Sequence, residues 1–327
     1  MNKLPLLVLL ALILALAPLS TPAHGQKNVL QIVSPTLPIT IDGNPSEWGA
    51  YDCTGKAPGL YLADVGGIPQ WIWCDPEGDE RTDFANPDPR VDLLQFRVTA
   101  DENYLYGLVI VKQMPFNIGD DGGTFVAITI NRNGSTTGEV WFAGNANTQV
   151  DPNAKWQYQV VINLADSRYR NQGLTRVTDT LQANWGGIYY IVDSSWSFKS
   201  DTVSQVGADT SYSAIEFRVN WNTIGGPPSG DSFFLRMELI TARGWSNYDR
   251  NDGGTWGTGA SNALDCITNM PGNTWNEVQD GVVNYYIDLY FATTPPYYPI
   301  PEPITVPLLV AVAVVGFAFY LFKVRKR

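Results

Sequence analysis

The chain ends in an uncharged apolar run, Ile304–Phe322, followed at once by Lys323, Arg325, Lys326 and Arg327. A run of about 20 apolar residues is what a helix needs to cross a bilayer, and a basic tail keeps that end on the cytoplasmic side. A second apolar run, Leu4–Leu19, follows Lys3 and leads to Ala23-His24-Gly25. Small residues flanking a histidine there suit signal-peptide cleavage; left uncleaved, the run would be a signal anchor. The two runs imply a signal peptide over 1–25, an exported segment over 26–292, a spanning helix over 304–322 and a cytoplasmic tail over 323–327. The expected location is the cell membrane, single-pass, with the large N-terminal part on the extracellular side.

Between the exported segment and the helix lies TTPPYYPIPEP, residues 293–303, whose repeated prolines make a stiff, extended stalk. The order Pro301-Glu302-Pro303, apolar helix, basic tail resembles the Pro-Glu-Pro type of C-terminal sorting signal. That resemblance implies a sorting protease of the exosortase or archaeosortase class as a partner, which would remove the helix. Plain stop-transfer retention, with the helix as a lasting anchor, is the other outcome.

Composition narrows the chemistry. The whole chain has 21 basic and 32 acidic residues, a formal charge of −11. Lys3 and the tail cations fall outside the exported part, which is therefore more acidic still. Nucleic acid needs basic patches, and none occurs outside the tail, so it is excluded as a partner. The single histidine is His24, inside the signal peptide. The exported part then has no Ser-His-Asp or Cys-His catalysis and no histidine-ligated zinc or haem. Cys53, Cys74 and Cys266 enter a compartment where disulfides form. Cys53–Cys74 is the most local pairing; Cys53–Cys266 and Cys74–Cys266 remain open.

Within 26–292 strand signals recur and helical periodicity does not. Candidate strands are 29–33, 94–99, 104–112, 124–131, 138–143, 156–164, 188–193, 212–219, 233–242 and 284–291, rich in β-branched and aromatic residues and bounded by Gly, Asn, Asp and Pro. Asp101-Glu102-Asn103 and Asn131-Arg132-Asn133-Gly134 are the turns expected to close hairpins, and one short helix is expected within 174–184. The fold class is all-β: an antiparallel β-sandwich ectodomain of one domain, with a C-terminal single transmembrane helix.

Four segments carry a family resemblance. Ile39-Thr40-Ile41-Asp42-Gly43 followed by Trp48, the hairpin over 91–111, Gly123–Gly134, and Glu216-Phe217-Arg218-Val219-Asn220-Trp221 within 211–225 occur in the order seen in family-nine carbohydrate-binding modules and related DOMON-like sandwiches. The chain resembles that family. Trp48 and Trp221 are expected to pack in the core, and Asp42-Gly43 to make a turn.

Three groups of residues are candidates for function. The acidic stretch Asp75-Pro76-Glu77-Gly78-Asp79-Glu80, with Asp83, Asp88 and Asp92 beyond it, resembles the calcium-holding D-x-x-G-D loop of glucodextranase-type relatives. Asp75, Glu77, Asp79 and Asp92 are the implied ligands of a structural Ca2+, a cation that takes oxygen donors. A solvated acidic loop is the plainer alternative. The second group is aromatic: Trp71, Trp73, Trp245, Tyr248, Trp256 and Trp275, whose rings would stack on sugar C–H faces. The third is Asn133-Gly134-Ser135, an N-glycosylation acceptor that also reads as a turn.

The expected function is a non-catalytic, membrane-anchored binding protein of the cell surface, its partner a glycan or cell-envelope polysaccharide. The alternatives are a structural or adhesive envelope protein, in which Cys266 could cross-link chains, and a glycoside hydrolase, which would need two carboxylates about 5–9 Å apart and for which no catalytic motif is visible.

Overall fold

The structure is a computed structural model that describes residues 28–32, 36–81, 88–114, 123–144, 146–164, 175–181, 189–230, 232–243, 263–267, 277–278 and 280–293. The expected signal peptide, spanning helix and tail lie outside these residues, as does the stalk beyond Thr293. Among the described residues, no helix is long and apolar enough to cross a membrane.

The strands, in chain order, are β1 (Leu30–Gln31), β2 (Gly59–Val65), β3 (Ile68–Cys74), β4 (Leu93–Ala100), β5 (Tyr104–Val111), β6 (Thr124–Arg132), β7 (Gln149–Val150), β8 (Tyr158–Asn163), β9 (Arg176–Thr180), β10 (Tyr189–Asp193), β11 (Phe198–Lys199), β12 (Gln205–Asp209), β13 (Ala214–Asn220), β14 (Phe234–Arg243), β15 (Asp265–Cys266), β16 (Val282–Val283) and β17 (Ile287–Ala292). One sheet has eight strands in the order β1-β17-β14-β6-β8-β10-β11, with β15 also on β14; the other has seven, β2-β3-β4-β5-β13-β12-β9. Pairing is antiparallel throughout both sheets except for β1 alongside β17. This is the sandwich expected from the sequence.

Alternation along the strands explains the layering. Val126, Ile128 and Ile130 of β6 meet Phe96, Val98 and Val109 of the other sheet in the central core. The intervening Phe125 and Ala127 face outward, yet they too are buried, under a second layer built from Phe142, Val150, Trp156 and Cys266. The outer face of the seven-stranded sheet is likewise roofed. Leu37, Ile39, Ile41 and Trp48 cover Tyr106, Leu108 and Ala214. Strands buried on both faces read as near-continuous apolar runs, as Thr124–Asn131 does.

Most of the expected strands are present, and four details differ. Residues 176–180, placed in a short helix by the sequence reading, form β9, paired with β12 from Arg176↔Asp209 to Thr180↔Gln205. The alternation that seats Val177 and Leu181 in the central core outweighs helix propensity there. Residues 138–143 make only isolated bridges, Glu139↔Trp156 and Trp141↔Gln149. Asn133 and Gly134 do form a turn, at φ 56° and 64°, but β6 pairs with β14 and β8, so no hairpin follows. Finally, β2 and β3, a hairpin over 59–74, together with β12 and the two-residue strands β7, β11, β15 and β16, were not among the expected strands. By contrast, 101–103 closes the β4–β5 hairpin as expected, with Asp101 Oδ1 accepting from the N–H groups of Asn103 and Tyr104 at 2.7 and 2.8 Å.

Candidate metal centre

The end of β3 sets up the site. Trp73, Cys74 and Asp75 are consecutive, and each has a separate task. Trp73 is fully buried in the central core, and its indole N–H donates to Asp75 Oδ1 at 2.9 Å. Cys74 is bonded to Cys53, with Cα atoms 5.6 Å apart; the local pairing is thus the one adopted. Asp75 then leaves the sheet, its N–H still bonded to Leu94 O at 3.0 Å. The loop turns at Gly78, whose φ of 83° favours glycine.

Three buried carboxylates converge here: Asp75, Asp79 and Asp265 each bring a ligand atom within 4.8 Å of the others. Asp265 comes from β15, far along the chain, and its position is held by two backbone donors. Leu93 N–H donates to Oδ2 at 2.7 Å and Cys266 N–H to Oδ1 at 2.8 Å. Arg81 clamps the same segment to the loop. Its backbone N–H donates to Leu264 O at 2.7 Å, and Nη1 donates to Ala263 O at 3.3 Å.

Burial and mutual charge act against ionising the whole cluster at once. Burial, and then the charges of Asp265 and Asp79, push the Asp75 carboxyl well above the usual carboxylate range. Its Oδ2 is shielded from water and has no hydrogen-bond partner among the described residues. Such an orphaned acceptor costs about 1–3 kcal/mol. Oxygen-only donors fit a hard cation such as Ca2+, which binds about six to eight oxygens. Cys266 adds no soft ligand: burial and the neighbouring carboxylates push its thiol well up, away from thiolate. Asp75, Asp79 and Asp265 are thus placed so that they could hold a metal ion, and their oxygen donors are of the kind calcium takes.

The other two expected ligands sit beside this triad. Asp92 accepts the Gly78 N–H on both oxygens at 3.0 Å and lies 3.4 Å from Lys112 Nζ. Burial raises its carboxyl to about 6. Glu77 points elsewhere: its exposed side chain pairs with Lys112 at 3.0 Å. The sequence reading missed Asp265, because nothing local marks a carboxylate that arrives from another strand.

The aromatic expectation is corrected in part. Trp71 and Trp73 belong to β3 and are 4% and 0% exposed, so they are core residues and present no open ring face. Alternation places both on the inner side of the sheet, where an indole contributes most by burial. Trp245, Tyr248, Trp256 and Trp275 lie outside the described residues, as does Asp83. Cys266 is fully buried, which removes the cross-linking role considered for it. Asn133 is exposed; its Oδ1 accepts from Phe234 N–H at 3.0 Å, a bond that a glycan on Nδ2 would leave intact.

The two outlying signature segments meet at Glu216. Its Oε2 accepts from Asp42 N–H at 2.9 Å and Gly43 N–H at 2.7 Å, and its Oε1 accepts from Trp48 Nε1 at 2.8 Å. Gly43, at φ 81°, and Trp48, fully buried, behave as the sequence reading expects, and Trp221 is buried too. Compared with known proteins, the sequence matches no protein-family model and no curated protein.

Proposed function

We propose that the chain is a membrane-anchored, non-catalytic binding protein of the cell surface, carrying a carbohydrate-binding-like sandwich that takes a glycan and is braced by a structural Ca2+. The observation that carries this reading is the meeting of Asp42, Gly43 and Trp48 with Glu216. Residues singled out by their likeness to one family of modules, far apart in sequence, are physically one unit. The carboxylate triad adds support, since its orphaned oxygen and its all-oxygen donors suit a cation that stabilises a loop. The lack of histidine in the exported part favours binding over catalysis.

The test is a glycan array probed with the full-length chain in mild detergent, with Ca2+ and with EDTA. Retention on one class of oligosaccharide supports the reading. Failure to bind any glycan, together with ordered self-assembly, would favour the structural envelope role. Mass spectrometry of the native C-terminus separates a retained anchor from a processed sorting signal.

A further inference from the structure

Four strands lie at the edges of the two large sheets: β1 and β11 in one, β2 and β9 in the other. An edge strand leaves a row of backbone N–H and C=O groups unpaired, and proteins blunt such edges by shortness or charge. β1 and β11 are two residues each. β9 carries Arg176, paired with Asp42, and Asp179, whose Oδ1 takes the Thr180 N–H at 2.7 Å. β2 has neither protection. It runs for seven residues, Gly59–Val65, with a single charge, Asp64, at its turn end.

The β2–β3 turn decides which backbone groups face outward. Val65 and Ile68 are register partners across Gly66 and Gly67, which sit at φ 64° and 85°. Two successive left-handed residues make the tight type I′ hairpin, whose closing pair exchanges both backbone bonds. Alternation then points Val65, Ala63 and Tyr61 at β3 and turns the N–H and C=O groups of Leu60, Leu62 and Asp64 away from the sheet. No described residue pairs with those outward backbone groups. The side chains divide differently. Leu60 and Leu62 pack on the central core. Tyr61, half-buried, lies on the outer face, its hydroxyl donating to Ala57 O at 2.7 Å.

The strand is complementary to itself. Leu60-Tyr61-Leu62 reads the same in both directions. With a two-fold axis through Tyr61, an antiparallel second copy sets each Leu60 opposite a Leu62, and each such pair exchanges both backbone bonds. The leucines stay on the core side, so the apolar layer continues across the join. On the other face the two Tyr61 rings meet as a close cross-strand pair. The two Asp64 carboxylates fall at opposite ends, each toward the 56–58 segment of the other copy. There the Lys56 ammonium, 5.8 Å from the Tyr61 ring centroid of its own chain, supplies the opposite charge. An axis through Leu62 would instead oppose Leu60 to Asp64, and a slip of one residue would send the leucine rows to opposite faces.

We propose that β2 is a homodimer edge: two copies of this chain pair antiparallel through Leu60 and Leu62 about Tyr61 and join their seven-stranded sheets into one. A single patch then serves both partners, as a two-fold interface requires, and the pairing needs no glycan. The test uses the full-length chain in mild detergent. Sedimentation equilibrium compares wild type with Tyr61→Lys, which removes the ring pair and sets like charges directly opposite; the dimer dissociation constant should rise on the order of tenfold. Under mild oxidation, Tyr61→Cys should give a disulfide-linked dimer on a non-reducing gel. Asp64→Cys, far from its counterpart across the axis, should not. A monomeric wild type overturns the proposal. So does a dimer that Tyr61→Lys leaves unweakened, or one in which Tyr61→Cys cross-links no better than Asp64→Cys. Melting temperatures are measured in parallel, and the cross-link alone decides if Tyr61→Lys fails to fold.

Discussion

Cys74 and Gln95 are register partners across β3 and β4, and this one pairing ties the disulfide, the carboxylate loop and the segment at Tyr51 into a single corner of the sheet. Asp75 follows Cys74 directly. Gln95 holds the carbonyl of Tyr51, two residues from Cys53. Perturbing the corner should therefore be felt on both faces of the sheet.

The disulfide closes a loop of sequence separation 21, and a bond of that kind typically contributes about 2–4 kcal/mol. The double variant Cys53→Ser/Cys74→Ser is expected to melt on the order of 5–15 °C lower. Calorimetry of the two proteins checks this, and an unchanged melting temperature would count against any strain-free tethering role.

Calcium should stabilise the fold by mass action. At a free concentration about 100 times its dissociation constant, the gain is about 2.7 kcal/mol, or on the order of 5–10 °C. Asp265→Asn should abolish most of that response, because the triad loses a charged ligand from the far strand. The proposal for Asp75, Asp79 and Asp265 fails if EDTA and Ca2+ give superimposable melts of the native protein.

Glu216 gives the fold a pH dependence of definite sign. Burial raises its carboxyl to about 7 from the ordinary 4.5, despite three donors and against the pull of their hydrogen bonds. The folded state thus keeps the proton to higher pH than the unfolded chain does. Its contribution is fully present below about pH 4.5 and is lost as the pH climbs through about 7, by up to on the order of 3 kcal/mol. Urea unfolding of wild type and Glu216→Gln at pH 4.5 and pH 7.5, both in EDTA, isolates this effect. The variant should show a smaller stability difference between the two pH values, and an equal difference would refute the assignment.

Gly207 on β12 permits the roof to sit where it does. A Cβ there would lie 2.6 Å from the backbone nitrogen of Asp42, a contact that neither chain segment can absorb without moving. Gly207→Ala should cost about 1–3 kcal/mol and should expose residues 36–50 to limited proteolysis first. Wild-type resistance of that segment in the variant would show that the roof is not seated through this contact.

Runs of β-branched and aromatic residues bounded by turn residues revealed much of the sandwich, including β6, which is buried on both faces. They were less informative where strands are short. Trp71 and Trp73 were candidates for sugar stacking by residue type, and nothing local says whether their rings face inward. The structure puts them inside. The acidic loop was legible as a candidate site through Asp75 and Asp79, since their spacing around Gly78 is local. Asp265 was not, because convergence of distant carboxylates is a property of strand order rather than of spacing. Glu216 was visible as part of a signature, but its role as the acceptor for Asp42, Gly43 and Trp48 depends on the packing of a segment against a sheet it never joins.

The parallel pairing of β1 with β17 has a mechanical corollary. Residue 293 leaves directly from β17, which is flanked by β1 on one side and β14 on the other. A force directed along the β17 axis would act perpendicular to the antiparallel ladder with β14, Phe234↔Tyr290 to Met237↔Ile287, and at a slant to the parallel ladder with β1, Leu30↔Phe291 and Gln31↔Ala292. Both ladders would then be loaded together in shear instead of being opened one bond at a time.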